Sequence, residues 1–286
     1  MKKIGRLLLV PAIVLLLFLF VYPLFFNFYL SFFWLNLYAG YEPRFIGFYN
    51  YVSVLTDPIF YNAFFNTLVF TVVSVMLEFI VGLAVALQLS KLKASWMGVV
   101  SALCMTPMFL SEVIEGIIGR FLFSPRIGLI NAITESLFAT TLPWLTDKTF
   151  AMWAVILVDS WKMFPFLVII FLAAIISIPK DLMDAMSLDG ASQIQQLRYL
   201  IIPCMLPVFA ISILVRSIDA FTKVFGVVYV MTAGGPGIGT DVIPLRIFNI
   251  ALRAFQWGIA TTWGVFAFLF SVLLMVIYLY VMRWKR

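Results

Sequence analysis

The run "TFAMWAVILVDSWKMFPFLVIIFLAAII", from Thr149 to Ile176, decides the fold class, because its only charged side chains are Asp159 and Lys162. A helix that spans a bilayer needs about 20 mostly apolar residues, whereas a membrane barrel strand is about ten residues of alternating polarity. A continuous apolar run of this length therefore predicts a transmembrane helix.

Five similar runs lie elsewhere in the 286-residue chain, which is 64% hydrophobic and only 11% charged. A soluble domain is roughly half apolar and about a quarter charged. We therefore predict an all-α membrane protein with one transmembrane domain over residues 1–286. The predicted spans are 7–34, 63–90, 96–121, 149–176, 201–231 and 257–282.

The positive charges predict the orientation, because Lys and Arg are enriched in cytoplasmic segments. A cytoplasmic N-terminus places ten of these residues on one side of the membrane: Lys2, Lys3, Arg6, Lys91, Lys93, Lys180, Arg198, Arg283, Lys285 and Arg286. We therefore expect both termini in the cytoplasm. The net charge of +6 then needs no nucleic-acid partner.

The residue types disfavour enzymatic chemistry. The chain has no histidine, the commonest general base and metal ligand, and its two cysteines, Cys104 and Cys204, lie in apolar runs without motif spacing. We predict no catalytic residue and no metal site. Outside the membrane, "AGGPG" at 233–237 predicts a tight turn.

The longest internal segment is "SIPKDLMDAMSLDGASQIQQLRYL", residues 177–200. Ser177 is expected to cap a helix that begins near Pro179 and ends at Gly190, since proline suits a helix start and glycine a helix end. A second helix should then lead into the next span. The residues alone leave two interpretations open, a connector lying on the lipid headgroups or a docking element for a partner.

The loop resembles the EAA loop of binding-protein-dependent ABC importer permeases, whose pattern is approximately E-A-A-x-x-D-G-A followed after a fixed gap by I-x-L-P. The matching positions are Asp184, Ala185 and Met186, then Asp189, Gly190 and Ala191, then Leu200, Ile202 and Pro203. The departures at Asp184, Met186 and Ile202 are conservative.

The similarity extends from Phe45 to Gly237, in family order. "FIGFYNYVSVLTDPIFYNAFFNTLVF", "GLIN", "WKMFPF", "AIISIPKDL" and "VYVMTAGGPG" resemble the sugar-type, maltose-transporter-like branch of these permeases. The resemblance implies a type I ABC importer permease with six transmembrane helices, in the inner membrane of a prokaryote, working by alternating access. It implies a sugar, oligosaccharide or polyol as substrate.

The resemblance also implies the partners: a second homologous permease, two cytoplasmic ATPases and an extracytoplasmic solute-binding protein. ATP and Mg would be used by the ATPases, because this chain has no "GxxxxGK[ST]" loop and is expected to bind no cofactor. In the family the EAA helix sits in a cleft of the ATPase. The residues implied in coupling are Asp184, Ala185, Met186, Asp189, Gly190, Ala191 and Pro203.

Charged residues also fall inside the predicted spans, namely Glu78, Asp159, Lys162, Arg216, Asp219 and Lys223. Charges in lipid are costly, so we expect these side chains to be paired and to face protein or a water-filled cavity. Asp159 with Lys162, Arg216 with Asp219, and Asp219 with Lys223 are three or four residues apart and share a helix face.

Two interpretations of these charges remain open: they neutralise one another within the helix bundle, or they line the substrate path. The predicted path residues are Asp159, Trp161, Lys162, Arg216, Asp219, Phe221, Lys223 and Phe225. Three acids and three bases balance, which disfavours a highly charged substrate, although Arg216 or Lys223 leaves an anionic sugar open. Glu112 and Glu115 either bond with Arg120 or meet the binding protein that the resemblance implies, and the bond with Arg120 is the favoured expectation.

A rival hypothesis is a self-sufficient ion- or proton-coupled transporter or channel that uses the intramembrane charges. It predicts activity from this chain alone, indifferent to ATP. A membrane-bound enzyme is a third class, disfavoured by the missing histidine. Purification with stoichiometric ATPase and a second permease would separate the importer from both.

Overall fold

The computed structural model describes residues 10–11 and 13–283. The predicted cytoplasmic charges Lys2, Lys3, Arg6, Lys285 and Arg286 therefore lie outside the described residues. The described elements, in chain order, are α1 (Ile13–Ser31), β1 (Phe33–Asn36), β2 (Gly40–Phe45), α2 (Tyr49–Thr56), α3 (Pro58–Leu89), α4 (Ala94–Cys104), α5 (Glu112–Leu122), α6 (Leu129–Phe138), α7 (Lys148–Ile176), α8 (Lys180–Leu188), α9 (Gln193–Lys223), α10 (Phe225–Met231), α11 (Ile243–Phe248) and α12 (Trp257–Arg283).

The chain divides into two compact units, one of residues 1–63 with 243–272 and the other of 64–242 with 273–286. In the first unit α1 ends at Ser31, and β1 pairs antiparallel with β2. The Asn50 side chain donates hydrogen bonds to the carbonyls of Ser31 and Phe33, both at 2.9 Å, which satisfies backbone groups left free at the helix end. The predicted span 7–34 is therefore too long, because its last residues form a strand.

The third predicted span is not a single helix. After α4 comes a 3-10 turn, Thr106–Phe109, and α5 begins after it, so the two halves meet at 91°. Leu110 is extended, and the Ser111 side chain accepts a hydrogen bond from Ile114 N–H at 3.3 Å, which starts a new helix. Within residues 10–11 and 13–283, five helices are long and apolar enough to cross a membrane, or six if this bent pair counts as one span.

The second unit is packed around three aromatic rings from α3, α7 and α9. Phe79, Phe171 and Phe209 meet edge to face, with centroid distances of 5.0–5.3 Å. A Cβ added to Gly82 would lie 3.0 Å from the Leu167 Cβ, so α3 and α7 approach closely there. Each such ring pair contributes about 0.5–1.5 kcal/mol beyond the area it buries, which fixes these three helices together.

The predicted turn at 233–237 is confirmed. Gly234 and Gly237 have φ angles of +90° and +61°, values that favour glycine. The Asn66 side chain of α3 donates to the carbonyls of Ile238 at 3.1 Å and Asp241 at 2.9 Å, so the turn is anchored to a long helix.

Candidate functional site

The internal loop forms the short helix α8, close to the predicted bounds. Its N-cap residue is Pro179. Ser177, the expected cap, instead donates from Oγ to the carbonyl of Ala174 at 2.7 Å. The capping prediction is wrong because Ser177 still belongs to the end of α7, where its hydroxyl reaches back to a free carbonyl.

The C-terminus of α8 is a Schellman motif around Gly190. The N–H of Gly190 donates to the carbonyl of Ser187 at 3.1 Å, and the N–H of Ala191 donates to the carbonyl of Met186 at 3.0 Å. Gly190 has a φ of +76°, and a Cβ at this position would contact nothing within 4 Å. Glycine is therefore favoured here by the backbone angle and not by packing.

The next helix, α9, starts with a capping box, as the predicted second helix requires. The N–H of Ser192 donates to Gln195 Oε1 at 2.7 Å, and Ser192 Oγ accepts from the N–H of Gln195 at 3.4 Å. Gln196 Nε2 donates to Ser187 Oγ at 3.0 Å. These bonds connect the ends of α8 and α9, so the loop is a defined helix–turn–helix.

Lys91 Nζ donates to Gln193 Oε1 at 3.1 Å. This contact joins the short segment after α3 to the start of α9. The charge pattern assigns both segments to the cytoplasmic side, and in the structure they lie together.

Pro203 lies inside α9 and does not mark its start. The helix begins at Gln193 and passes through a π turn, Leu197–Ile201, in which the N–H of Ile202 donates to the carbonyl of Leu197. Proline has no N–H for the normal ladder, and a π turn changes the local bonding at this point. Pro203 thus lies in the first turn of the α-helical part of α9, Ile202–Lys223, which follows the π turn.

Most of the predicted coupling residues lie on the outside of the loop. The exposed ones are Asp184, Ala185, Asp189, Gly190 and Pro203, while Met186 and Ala191 are half-buried. Apolar side chains are also exposed at the tip, with 89% of Leu188 and 77% of Ile194 accessible. The opposite side of α8 is held by Met183, which packs against the core of the second unit.

Arg216 is the centre of the buried charges. Its guanidinium donates to Glu78 through Nε at 2.7 Å and Nη2 at 2.8 Å, to Asp219 through Nη1 at 3.1 Å, and to Asp159 through Nη2. Arg216 is 2% exposed and Glu78 is fully buried. The expected pairing is confirmed, and Glu78, Asp159, Lys162 and Arg216 are buried, whereas the Lys223 side chain is 68% exposed. The arginine joins α3, α7 and α9.

The partners of the two lysines differ in how well the sequence predicted them. Lys223 Nζ pairs with Asp219 at 2.6 Å, as its spacing predicts. Lys162 Nζ pairs with Glu115 at 2.6 Å, so the shared helix face with Asp159 did not identify its partner. The expectation that Glu115 bonds with Arg120 is wrong, because Glu115 is 1% exposed and faces α7.

These charges surround a cavity of about 640 Å³ in the second unit. Five predicted path residues line it, namely Asp159, Lys162, Arg216, Asp219 and Lys223. The predicted aromatics lie elsewhere in the unit: Phe221 is buried against Phe64, Trp161 is 42% exposed, and Phe225 stacks on Tyr229. The structure thus brings the charges together in one cavity, and the aromatics lie outside its lining.

The sequence-based prediction of the path missed two acidic residues that line the cavity, Glu112 and Glu115. They are three residues apart on α5, so the spacing rule applied to the other charges would have placed them on one helix face. The bend before α5 was the missing information, because it sets the direction of that face.

Small residues bring α5 and α10 close together beside the cavity. A Cβ on Gly116 would lie 2.6 Å from the Val230 Cβ, and one on Gly226 would lie 2.2 Å from Glu112 Oε2. Close approach through small residues is the usual way in which membrane helices pack. Gly226 therefore leaves the room that the Glu112 carboxylate occupies.

Comparison with known proteins gives consistent results. Residues 78–286 match the family described as binding-protein-dependent transport system inner membrane component. The chain is 31% identical to the trehalose/maltose transport system permease protein MalF of Thermococcus litoralis, over 99% of this chain and 95% of that protein. It is also 31% identical to the sulfoquinovosyl glycerol transport system permease protein SmoG of Agrobacterium fabrum, over 99% and 92%.

A similar fold occurs in solved structures. A chain of a bacterial alginate ABC transporter, in complex with an alginate pentasaccharide-bound periplasmic protein, has a TM-score of 0.82 and 25% identity, with 100% of this chain and 94% of that chain covered. A chain of the MetNI methionine ABC transporter in an inward-facing conformation has a TM-score of 0.56 and 18% identity, with 77% and 92% covered. The latter likeness concerns the fold.

Proposed function

Since this chain belongs to the family of binding-protein-dependent transport system inner membrane components, we propose that its cargo is a sugar, an oligosaccharide or a polyol. The chain is a multi-pass inner-membrane permease subunit of an ABC importer, with the fold of type I importer permeases. Its relatives are permease proteins, which supports the prediction that it is not an enzyme.

One observation carries the proposed cargo: 31% identity along nearly the whole chain to a permease named for trehalose and maltose. The 640 Å³ cavity adds to this support, because carboxylates, amines and a guanidinium are the groups that bond sugar hydroxyls. In this proposal the five charged path residues and Glu112 lie along the route. Trp161, Phe221 and Phe225 stay predictions that the cavity does not support.

We propose six spans with both termini in the cytoplasm, the bent pair α4 and α5 counting as one span. The contact between Lys91 and Gln193 supports this topology, since it joins two segments assigned to the same side. Single cysteines placed at Leu188 and at Ile238 test it, with a membrane-impermeant thiol reagent applied to intact cells. The first should react only after permeabilisation and the second before it; the reverse order would refute the orientation.

The α8 helix is proposed as the element that couples ATP hydrolysis to the permease. Asp184 and Asp189 are exposed for pairing with basic groups of an ATPase, and the exposed Leu188 and Ile194 offer apolar contact. The Schellman motif and the bond from Gln196 to Ser187 support this proposal, because they connect the end of α8 to the start of α9, through which a displacement would pass.

The coupling test uses the assembled importer in vesicles. Asp184→Lys combined with Gly190→Arg should abolish substrate uptake while the complex still forms, because the first change reverses a docking charge and the second opposes the φ of +76°. Glu135→Lys on the exposed face of α6 is the matched control and should transport normally. Uptake that persists in the double variant would refute the coupling role.

The proposed partners are a second permease, two ATPases that use ATP and Mg, and an extracytoplasmic solute-binding protein. The alginate transporter with its bound periplasmic protein supports such an assembly. The self-sufficient transporter or channel is disfavoured, since the relatives are subunits of ABC systems. Mild-detergent purification tests the assembly: co-purified ATPase and second permease support it, and an active homomer contradicts it.

A further inference from the structure

We propose that the cavity excludes anionic substrates, so that its cargo is uncharged or carries an amino group, and that Glu112 and Glu115 set this preference. The inference rests on the proposed function, because it concerns the charge of the cargo that passes through the same cavity. The sequence suggested equal numbers of acidic and basic residues in this region, and the structure adds Glu112 and Glu115 to the acidic ones.

The cavity's cations are already occupied by carboxylates. Lys162 holds Glu115 at 2.6 Å and Lys223 holds Asp219 at 2.6 Å. Arg216 uses its Nε and both Nη nitrogens on Glu78, Asp159 and Asp219. Lys162 and Lys223 keep further N–H donors, but each already lies beside a protein carboxylate, which repels a carboxylate or phosphate on a substrate.

The acids also outnumber the bases. The network contains the five carboxylates Glu78, Glu112, Glu115, Asp159 and Asp219 and the three cations Lys162, Arg216 and Lys223. Three minus five leaves a formal charge of −2. Within the described chain, the Glu112 carboxylate makes no ion pair, although it lines the cavity.

Glu115 adds an unused acceptor. Its Oε2 binds Lys162, but its Oε1 is buried with no hydrogen-bond partner in the described part of the chain. Because that atom is fully buried, Glu115 adds negative charge to the cavity wall and does not itself offer a contact to the cargo. An ionised carboxylate only accepts hydrogen bonds, so this wall favours a hydroxyl or an ammonium group and repels another carboxylate. Apolar lining residues such as Val113, Met163 and Phe166 reduce screening and strengthen this field.

The test measures the electrostatic potential of the cavity directly. Val113 lines the cavity and is 55% exposed, so Val113→Cys places a reactive thiol there, with Cys104→Ala and Cys204→Ala removing the native ones. The purified importer is treated with a cationic trimethylammonium methanethiosulfonate and with its anionic sulfonate analogue. The reaction rate of each reagent with the protein is divided by the rate of the same reagent with a small free thiol, which corrects for their different intrinsic reactivities.

We expect the cationic reagent to react about tenfold faster than the anionic one after this correction. Glu112→Gln should reduce the preference, and Glu112→Lys should abolish or reverse it. Glu135→Gln, on exposed α6, should leave it unchanged. Equal rates, a faster anionic reagent, or no reaction with either reagent would overturn the proposal.

The thiol assay reports the charge of the cavity and does not depend on which cargo is transported. The proposed charge preference and the proposed sugar or polyol cargo can therefore be refuted independently. A strong cationic preference in an importer that takes up no sugar or polyol would refute the proposed cargo and keep the charge selection. Sugar uptake through a cavity without that preference would refute the charge selection and keep the proposed cargo.

Discussion

Replacing Arg216 should have the largest effect on stability of any single change in the buried network. Arg216→Met keeps a long side chain of similar reach but removes the charge that binds Glu78, Asp159 and Asp219. Removing one partner of a buried ion pair costs about 3–5 kcal/mol, because an uncompensated charge is left behind. Three carboxylates lose their cationic partner here, so we expect the free energy of unfolding to fall by an amount in the upper half of that range.

The assay is unfolding of the purified subunit by increasing SDS in mixed micelles, followed by circular dichroism. Arg126→Met on an exposed loop is the matched control, and it should change the free energy of unfolding by less than about 0.5 kcal/mol. A second variant, Glu78→Gln with Arg216→Gln, removes both charges of the bidentate pair and should recover part of the loss. We expect a coupling energy of about 1–3 kcal/mol between the two positions.

If Arg216→Met stays within about 1 kcal/mol of the wild type, the reasoning is refuted. Such a result would mean that the carboxylates are neutral, or are hydrated through the cavity, in the native state. Additive effects of Glu78→Gln and Arg216→Gln would show that the close contact has no energetic consequence.

Three smaller predictions follow from backbone and packing geometry. Gly190→Ala should cost about 1–2 kcal/mol in thermal-melt measurements, because its φ is +76°, whereas Gly98→Ala should not destabilise, since a Cβ there meets nothing. Gly116→Ala should cost about 1–3 kcal/mol by overpacking against Val230, and a rise in melting temperature would contradict the close approach. Ser192→Ala should cost about 1 kcal/mol by removing the cap of α9, measured as faster amide exchange at the start of the helix; unchanged exchange would argue against the cap.

The long apolar runs predicted the spans well where nothing interrupts them. The fourth predicted span, 149–176, agrees within one residue with α7, Lys148–Ile176. The break between α4 and α5 was missed because the residues on both sides of it are apolar. The composition therefore stays the same at the point where the helix axis turns. The local signal was Ser111 as a helix cap, followed by the acidic residues Glu112 and Glu115 in the first turn of α5.

The loop was predicted better than the cavity for a physical reason. Gly190 acts on backbone groups within a few residues, so local sequence was sufficient to place it, although the predicted cap, Ser177, was wrong. The partner of Lys162 is Glu115, 47 positions away, and that choice depends on how the helices are rotated. Spacing along one helix gives a shared face, but the neighbour that occupies that face comes from tertiary packing.

The most direct test of the central claim is uptake of radiolabelled sugars and polyols by proteoliposomes that contain this chain with its second permease and ATPases. We predict uptake that requires ATP on the side of the membrane that faces the ATPases and the solute-binding protein on the opposite side. This uptake should be lost in the Asp184→Lys, Gly190→Arg variant. Transport by this chain alone, driven by membrane potential or a proton gradient and indifferent to ATP, would contradict the claim.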